Sequence, residues 1–165
     1  MVKLDGQVAI VTGSATGIGY GIAKRLGKDG AKIIAVDSDA DMAEQSASEL
    51  AAQGTAVELV VGDVSEPKSA QDSVKSALDK WGKIDILINN AGIGGINGNI
   101  WELNVDELDR VYRTNLRGVF SFCHEVIPSM LENDYGRIVN IASIAGKEGN
   151  PRKVPDTATK EAVIG

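Results

Sequence analysis

Residues 7–19 read Gln-Val-Ala-Ile-Val-Thr-Gly-Ser-Ala-Thr-Gly-Ile-Gly, an apolar run that leads directly into a turn with three glycines. A run with no polar alternation predicts a strand covered on both faces, as in a parallel sheet with helices on either side. Glycine at the turn lets the chain reverse and begin a helix at once. The small residues beyond Gly13 would let an anionic group approach the free N–H groups at that helix's N-terminus. The spacing is Gly-x-x-x-Gly-x-Gly, and taken alone it describes a plain tight turn as well as a phosphate cradle.

Working outward, Gln7 to Thr12 is followed by four more runs of strand character: Lys32 to Asp37, Ala56 to Gly62, Ile84 to Asn89 and Arg137 to Ala142. Between them lie segments of helical spacing. Ile18, Ile22 and Leu26 form one stripe. Ala70, Val74, Ala77, Leu78 and Trp81 form a second. Leu108, Val111, Tyr112, Val119, Phe122, Val126 and Met130 form a third. Each stripe is expected to lie against the sheet, with Trp81 packed there just before a Gly82 cap, Cys123 a small core residue and His124 on a helix face. Asp106 and Glu107 suit the positive end of the long third helix, and Pro128 is expected to bend its last turns. The pattern implies an α/β fold, a Rossmann-type doubly wound parallel sheet in three αβα layers, as a single domain over residues 1–165. Gly92 to Asn99 reads as a mobile loop that follows a strand's carboxyl end, where open α/β sheets bind ligands.

The chain has 165 residues, a net charge of -6, and 19 glycines against 4 prolines. So many glycines without a collagen period point to tight turns and close backbone approaches. The negative charge argues against nucleic acid or an anionic membrane surface as partner, while a small anion held by backbone amides is still allowed. No apolar run approaches the roughly 18 residues of a membrane span, and the start lacks the layout of a signal peptide, so a cytoplasmic protein is expected. Cys123 and His124 are the only residues of their kinds, which leaves no disulfide framework and no metal site.

Asp37 ends the second strand, 24 residues after Gly13, where an acidic side chain can accept hydrogen bonds from an adenosine ribose. A carboxylate there repels a 2′-phosphate, and neither Ser14 nor Ser38 is basic, so NAD is preferred over NADP. The competing explanation is a solvated acidic turn, since Asp39 and Asp41 follow. Asn115 interrupts the apolar stripe between Val111 and Val119, where a buried amide must find partners.

Taken together, Thr12-Gly13-x-x-x-Gly17-Ile18-Gly19, Asp63-Val64, Asn89-Asn90-Ala91-Gly92, Asn115 and Ser143 resemble, in order and spacing, the short-chain dehydrogenase/reductase family. The resemblance implies a cofactor site of Gly13, Ser14, Thr16, Gly17, Ile18, Gly19, Asp37 and Ser38, with Asp63 and Val64 on the adenine. It implies that Asn90, Ala91 and Gly92 line the central strand beside the cofactor and that Ser143 holds the substrate oxygen. Asn115 is implied to support the active-site lysine through a water. The bland alternatives are a strand-end cap, a strand-end turn and a buried hydroxyl. The likeness to 3-oxoacyl-thioester reductases and to sugar or polyol dehydrogenases is about equal.

One position departs from the family pattern. Family members carry a Tyr four residues before a Lys and thirteen after the Ser; here Lys160 matches and Asp156 stands where the Tyr belongs. The resemblance assigns Lys160 to the nicotinamide ribose and to lowering the Tyr pKa. A shorter, acidic side chain cannot simply replace a phenol as proton donor. The chain also reads as incomplete, because the helix expected from Thr157 stops at Gly165. The resemblance therefore implies an NAD-dependent oxidoreductase acting on a small alcohol or ketone. The alternative is a catalytically disabled dinucleotide-binding fragment or variant. A purely structural α/β domain would leave both the glycine-rich turn and Asp37 as accidents. Family members pair through the long helix and the helix after Ser143, which makes a homo-oligomer compatible with the sequence.

Overall fold

The computed structural model describes residues 3–165. Five parallel strands form one sheet: β1 (Val8–Thr12), β2 (Lys32–Asp37), β3 (Val57–Val61), β4 (Ile86–Asn89) and β5 (Arg137–Asn140), in the order β3-β2-β1-β4-β5. The helices are α1 (Gly17–Lys28), α2 (Ala40–Ala52), α3 (Pro67–Trp81), α4 (Val105–Tyr112), α5 (Gly118–Glu132), α6 (Ala145–Glu148) and α7 (Val154–Ile164). A 3₁₀ turn covers Ile100–Glu102, and a π-helical turn at Arg113–Arg117 joins α4 to α5. The five strands expected from the sequence are all present, and the doubly wound parallel sheet is the observed fold.

Side-chain alternation along each strand divides the core in two. Val8, Ile10, Ile34, Val36 and Leu87 point to one face, where Ala70 and Ala77 of α3 and Phe122, Val126 and Met130 of α5 cover them. Ala9, Val11, Ile33, Ala35, Ile86 and Ile88 point to the other, beneath Ala23 of α1 and Leu50 of α2. Both faces of β1, β2 and β4 are thus dry, which is why these runs lack polar alternation. The strand order reverses between β1 and β4, so the helices after those strands leave on opposite faces and open a crevice at their carboxyl ends.

Four residues of the predicted stripes face solvent instead. Ile18 is 67% exposed, Tyr112 47%, Leu108 42% and Leu78 38%. In α1 Gly19, pressed against the Gly13 carbonyl, and Ala23 are the buried positions, while Ile22 and Leu26 pack partly buried against the core as expected. Trp81 packs against the core as expected, and Cys123 does so while remaining partly exposed. His124 is exposed and stacks on Phe120. The long third helix is α4, the π turn and α5 in continuous succession, and it runs on through Pro128 to Glu132. Gly92 to Asn99 has no regular secondary structure. The last helix begins at Val154 rather than Thr157, with Pro155 in its first turn. Among the described residues no helix is long and apolar enough to cross a membrane. Phe122 is fully buried, and Phe122→Ala is expected to lower stability by about 3–5 kcal/mol, read from the urea unfolding midpoint.

Candidate functional site

The carboxyl ends of β1 and β4 are joined by side chains. Thr12 is buried, and its hydroxyl accepts from the backbone N–H of Asn90 (3.0 Å) and of Ala91 (3.1 Å). The Asn90 amide donates to the carbonyls of Thr12 and Gly13, both at 3.0 Å. Next to it, Asn89 donates to Asn140 at 2.9 Å, extending the seam to β5. These bonds occupy backbone groups where the ladder ends and hold the floor of the crevice rigid.

Three glycines let α1 start on this floor. Gly13 has φ +63, and a Cβ on it would stand 2.9 Å from Ala91 Cα. A Cβ on Gly19 would overlap the carbonyl oxygen of Gly13. Gly17 has φ +55, and nothing lies within 4 Å of where its Cβ would be. Thr16 precedes α1 in extended conformation, yet its side chain caps nothing, and the first turn holds no acidic residue. By contrast α2 is capped by Asp39 and α4 by Asn104. The positive end of α1 therefore meets open space with its N–H groups uncompensated by a side chain.

Asp37 closes one side of this space. Its carboxylate accepts from Ala15 N at 2.9 Å and Asp39 N at 3.2 Å, which braces the glycine turn against the end of β2. An ionised carboxylate has about four acceptor positions, so capacity is left for a ligand hydroxyl. Asp63 accepts from Ser65 N at 2.8 Å, and Val64 beside it is buried against Gly118.

The other side is built around Asn115, which lies in the π turn and is 1% exposed. Its amide accepts from Ile93 N (2.8 Å) and donates to Ile93 O (2.9 Å) and to the Thr159 hydroxyl (3.1 Å). All its polar atoms thereby serve one purpose, tying the loop after β4 to α7 next to Lys160. The Lys160 ammonium donates to Ile141 O at 2.7 Å. Burial holds its pKa below the ordinary lysine value, and the negative charge of Asp156 partly offsets that effect. Ser143 accepts from Ala145 N at 3.1 Å.

These parts share one cleft of about 540 Å³. Gly13, Thr16, Gly17, Ile18, Asp37 and Ser38 line one half. Asp63 and Val64 lie beside them, followed by Asn90, Ala91 and Gly92, and Ser143, Asp156 and Lys160 line the far half. Three of the anticipated residues stand behind the lining. Ser14 is buried with its hydroxyl on Val36 O, Gly19 is under the turn, and Asn115 is behind the loop. The double role of Thr12 and the Thr159 link were not anticipated. For Thr12 the available signal was a hydroxyl at the end of an otherwise apolar run.

Known proteins resemble this chain in sequence and in fold. The sequence profile described as short chain dehydrogenase matches residues 7–165. The chain is 42% identical over 163 residues to a 2-dehydro-3-deoxy-L-rhamnonate dehydrogenase (NAD(+)) of Sphingomonas sp. (strain SKA58), covering 99% of this chain and 64% of that protein. Among solved structures, an NAD+-bound xylitol dehydrogenase superposes with a TM-score of 0.94 at 33% identity, over 98% of this chain and 62% of the other. An actinorhodin polyketide ketoreductase with NADPH gives 0.92 at 36% identity, over 96% and 61%. The chain thus spans about three-fifths of the length of these relatives.

Two outcomes follow from the seam and from Lys160. Thr12→Val strands the N–H groups of Asn90 and Ala91 and should cost about 1–3 kcal/mol in urea unfolding, whereas Thr12→Ser restores most of it. Lys160 binds its proton less tightly folded than unfolded, so its contribution to stability rises with pH from its lowered folded pKa up to the ordinary value of about 10.4. Unfolding curves across that alkaline window should lose this rise in Lys160→Met.

Proposed function

The chain belongs to the short chain dehydrogenase family, and on that premise we propose that residues 1–165 act as a single dinucleotide-binding domain of an NAD-dependent oxidoreductase that interconverts a secondary alcohol or polyol and a ketone. The observation that carries this proposal is the single cleft holding the uncapped start of α1, Asp37, Ser143 and Lys160. The residues fit a dinucleotide. Gly17 leaves open space where a side chain would block a pyrophosphate, and the first-turn N–H groups of α1 supply its partners. Asp37 offers carboxylate oxygens to the adenosine ribose and repels a 2′-phosphate, and Ser38 supplies no cation to receive one. Asp63 and Val64 flank the adenine. When bound, the nicotinamide supplies the hydride donor or acceptor.

The remaining work belongs to the far half of the cleft. Lys160, held by Ile141 O and by the Asn115–Thr159 tie, presents an ammonium to the ribose of the nicotinamide. The Ser143 hydroxyl orients the substrate oxygen. The names of a sugar-acid and a xylitol dehydrogenase among the relatives support the polyol class, and both names specify NAD. A ketoreductase solved with NADPH is also similar, so the preference for NAD rests on Asp37.

Asp156 favours a second reading, in which the cleft keeps its cofactor and has little turnover. A carboxylate brings no proton to a carbonyl, and its short side chain stops well before the reach of a phenol. Fluorescence titration should find NADH bound more tightly than NADPH, with Asp37→Ala weakening NADH about tenfold or more through loss of a charge-assisted hydrogen bond. Asp156→Tyr should raise turnover on small ketones by about 10²- to 10⁴-fold. A folded chain that binds neither dinucleotide contradicts the proposal.

A further inference from the structure

Lys153 is a cation without a counter-charge beside the substrate half of the cleft. It is partly buried and immediately precedes α7. Its ammonium lies 3.0 Å from where a Cβ on Gly94 would stand, and Gly94 lines the same cleft as Ser143, Asp156 and Lys160. Among the described residues Lys153 makes no ion pair. Three carboxylates approach this loop or the cleft beside it, and none pairs with Lys153: Glu102 accepts from Asn99 N, Glu107 is held by Arg110 and by Ile96 N, and Asp156 lends its charge to Lys160.

The backbone places Lys153 here at a cost. Arg152 has φ +64, a left-handed conformation uncommon outside glycine, and its carbonyl accepts from Gly98 N at 2.9 Å. The strained turn is therefore anchored to the loop that carries Gly94. Lysine side chains ordinarily extend their ammonium into water, so one folded onto a glycine at a cleft needs a reason. Backbone strain maintained beside a site is often part of that site's working geometry. The local charge points the same way: residues 147–160 hold Lys147, Arg152, Lys153 and Lys160 against only Glu148 and Asp156, in a chain of net charge -6.

We propose that Lys153 is a specificity residue that receives an anionic group on the substrate, which narrows the substrates to polyols or hydroxy ketones bearing a carboxylate or a phosphate. This rests on the oxidoreductase reading above. A charge-assisted contact to Lys153 would favour an anionic ligand about tenfold over its neutral counterpart. The test is saturation-transfer NMR on the NAD+-loaded chain, titrated in parallel with gluconate, glucitol 6-phosphate and neutral glucitol, with NAD+ occupancy read from the adenine protons in the same tubes. Support is a preference of about tenfold for gluconate or glucitol 6-phosphate over glucitol that disappears in Lys153→Met and persists in Lys153→Arg. The stronger of the two anions identifies the group. No anion preference, or one that Lys153→Met leaves intact, overturns the proposal while the cofactor reading stands. Absence of NAD+ signals from folded chain overturns the cofactor reading and this one with it.

Discussion

The hydrogen bonds between Thr12 and the Asn90–Ala91 backbone, returned by the Asn90 amide to Thr12 and Gly13, weld β1 to β4 where the strand order reverses. At that point the sheet opens into a crevice, and its floor must be rigid enough to aim a helix at it. Hydrogen bonds from side chains replace the ladder where it ends, so the two strands separate into a crevice without leaving buried backbone groups unpaired. Gly13 and Gly19 then bring α1 down onto the weld, and the helix's positive end is delivered to the crevice floor.

The two halves of the cleft are stabilised by different means. The half bearing Gly17 and Asp37 stands on β1 and β2, whose side chains are dry on both faces, and Asp37 braces the turn directly. The half bearing Ser143 and Lys160 depends on irregular backbone: the loop after β4, the turn at Arg152 and the two packed helices α6 and α7. Asn115 connects these parts, and the π turn in which it lies interrupts an otherwise regular helix. Such turns occur frequently at functional sites. Gly146 lets α6 contact the backbone of α7 at Lys160, where a Cβ would stand 2.6 Å from a main-chain carbon. The exposed β5 edge, with Val139 46% exposed, contrasts with the buried centre of the sheet.

Much of this was legible in the sequence for a physical reason. Strands buried on both faces leave unbroken apolar runs, as β1, β2 and β4 do, and these three together with the strand character of β3 and β5 give the fold class and the sheet's location. Glycines required by a left-handed turn or a close approach stand at Gly13, Gly17 and Gly19 regardless of any ligand, so they mark geometry before they mark chemistry. What was not legible depends on distance and direction. Ile18 fits an apolar stripe with Ile22 and Leu26, but it stands in the first turn of α1, exposed at the cleft, while the other two pack against the core. Ser14 reads as part of a phosphate turn, although its hydroxyl is used on Val36 O. Lys153 gave no signal, because an isolated lysine acquires meaning only when the fold sets it against Gly94.

The central claim is that the uncapped start of α1, Asp37 and the loop after β4 together hold one dinucleotide. Hydrogen exchange read by mass spectrometry, with and without saturating NADH, tests it most directly. The account predicts slowed exchange in residues 13–19, 37–38, 63–64 and 90–94, with residues 53–56 at the opposite end of the sheet unchanged. Unaltered exchange throughout, or protection confined to that opposite end, would contradict it.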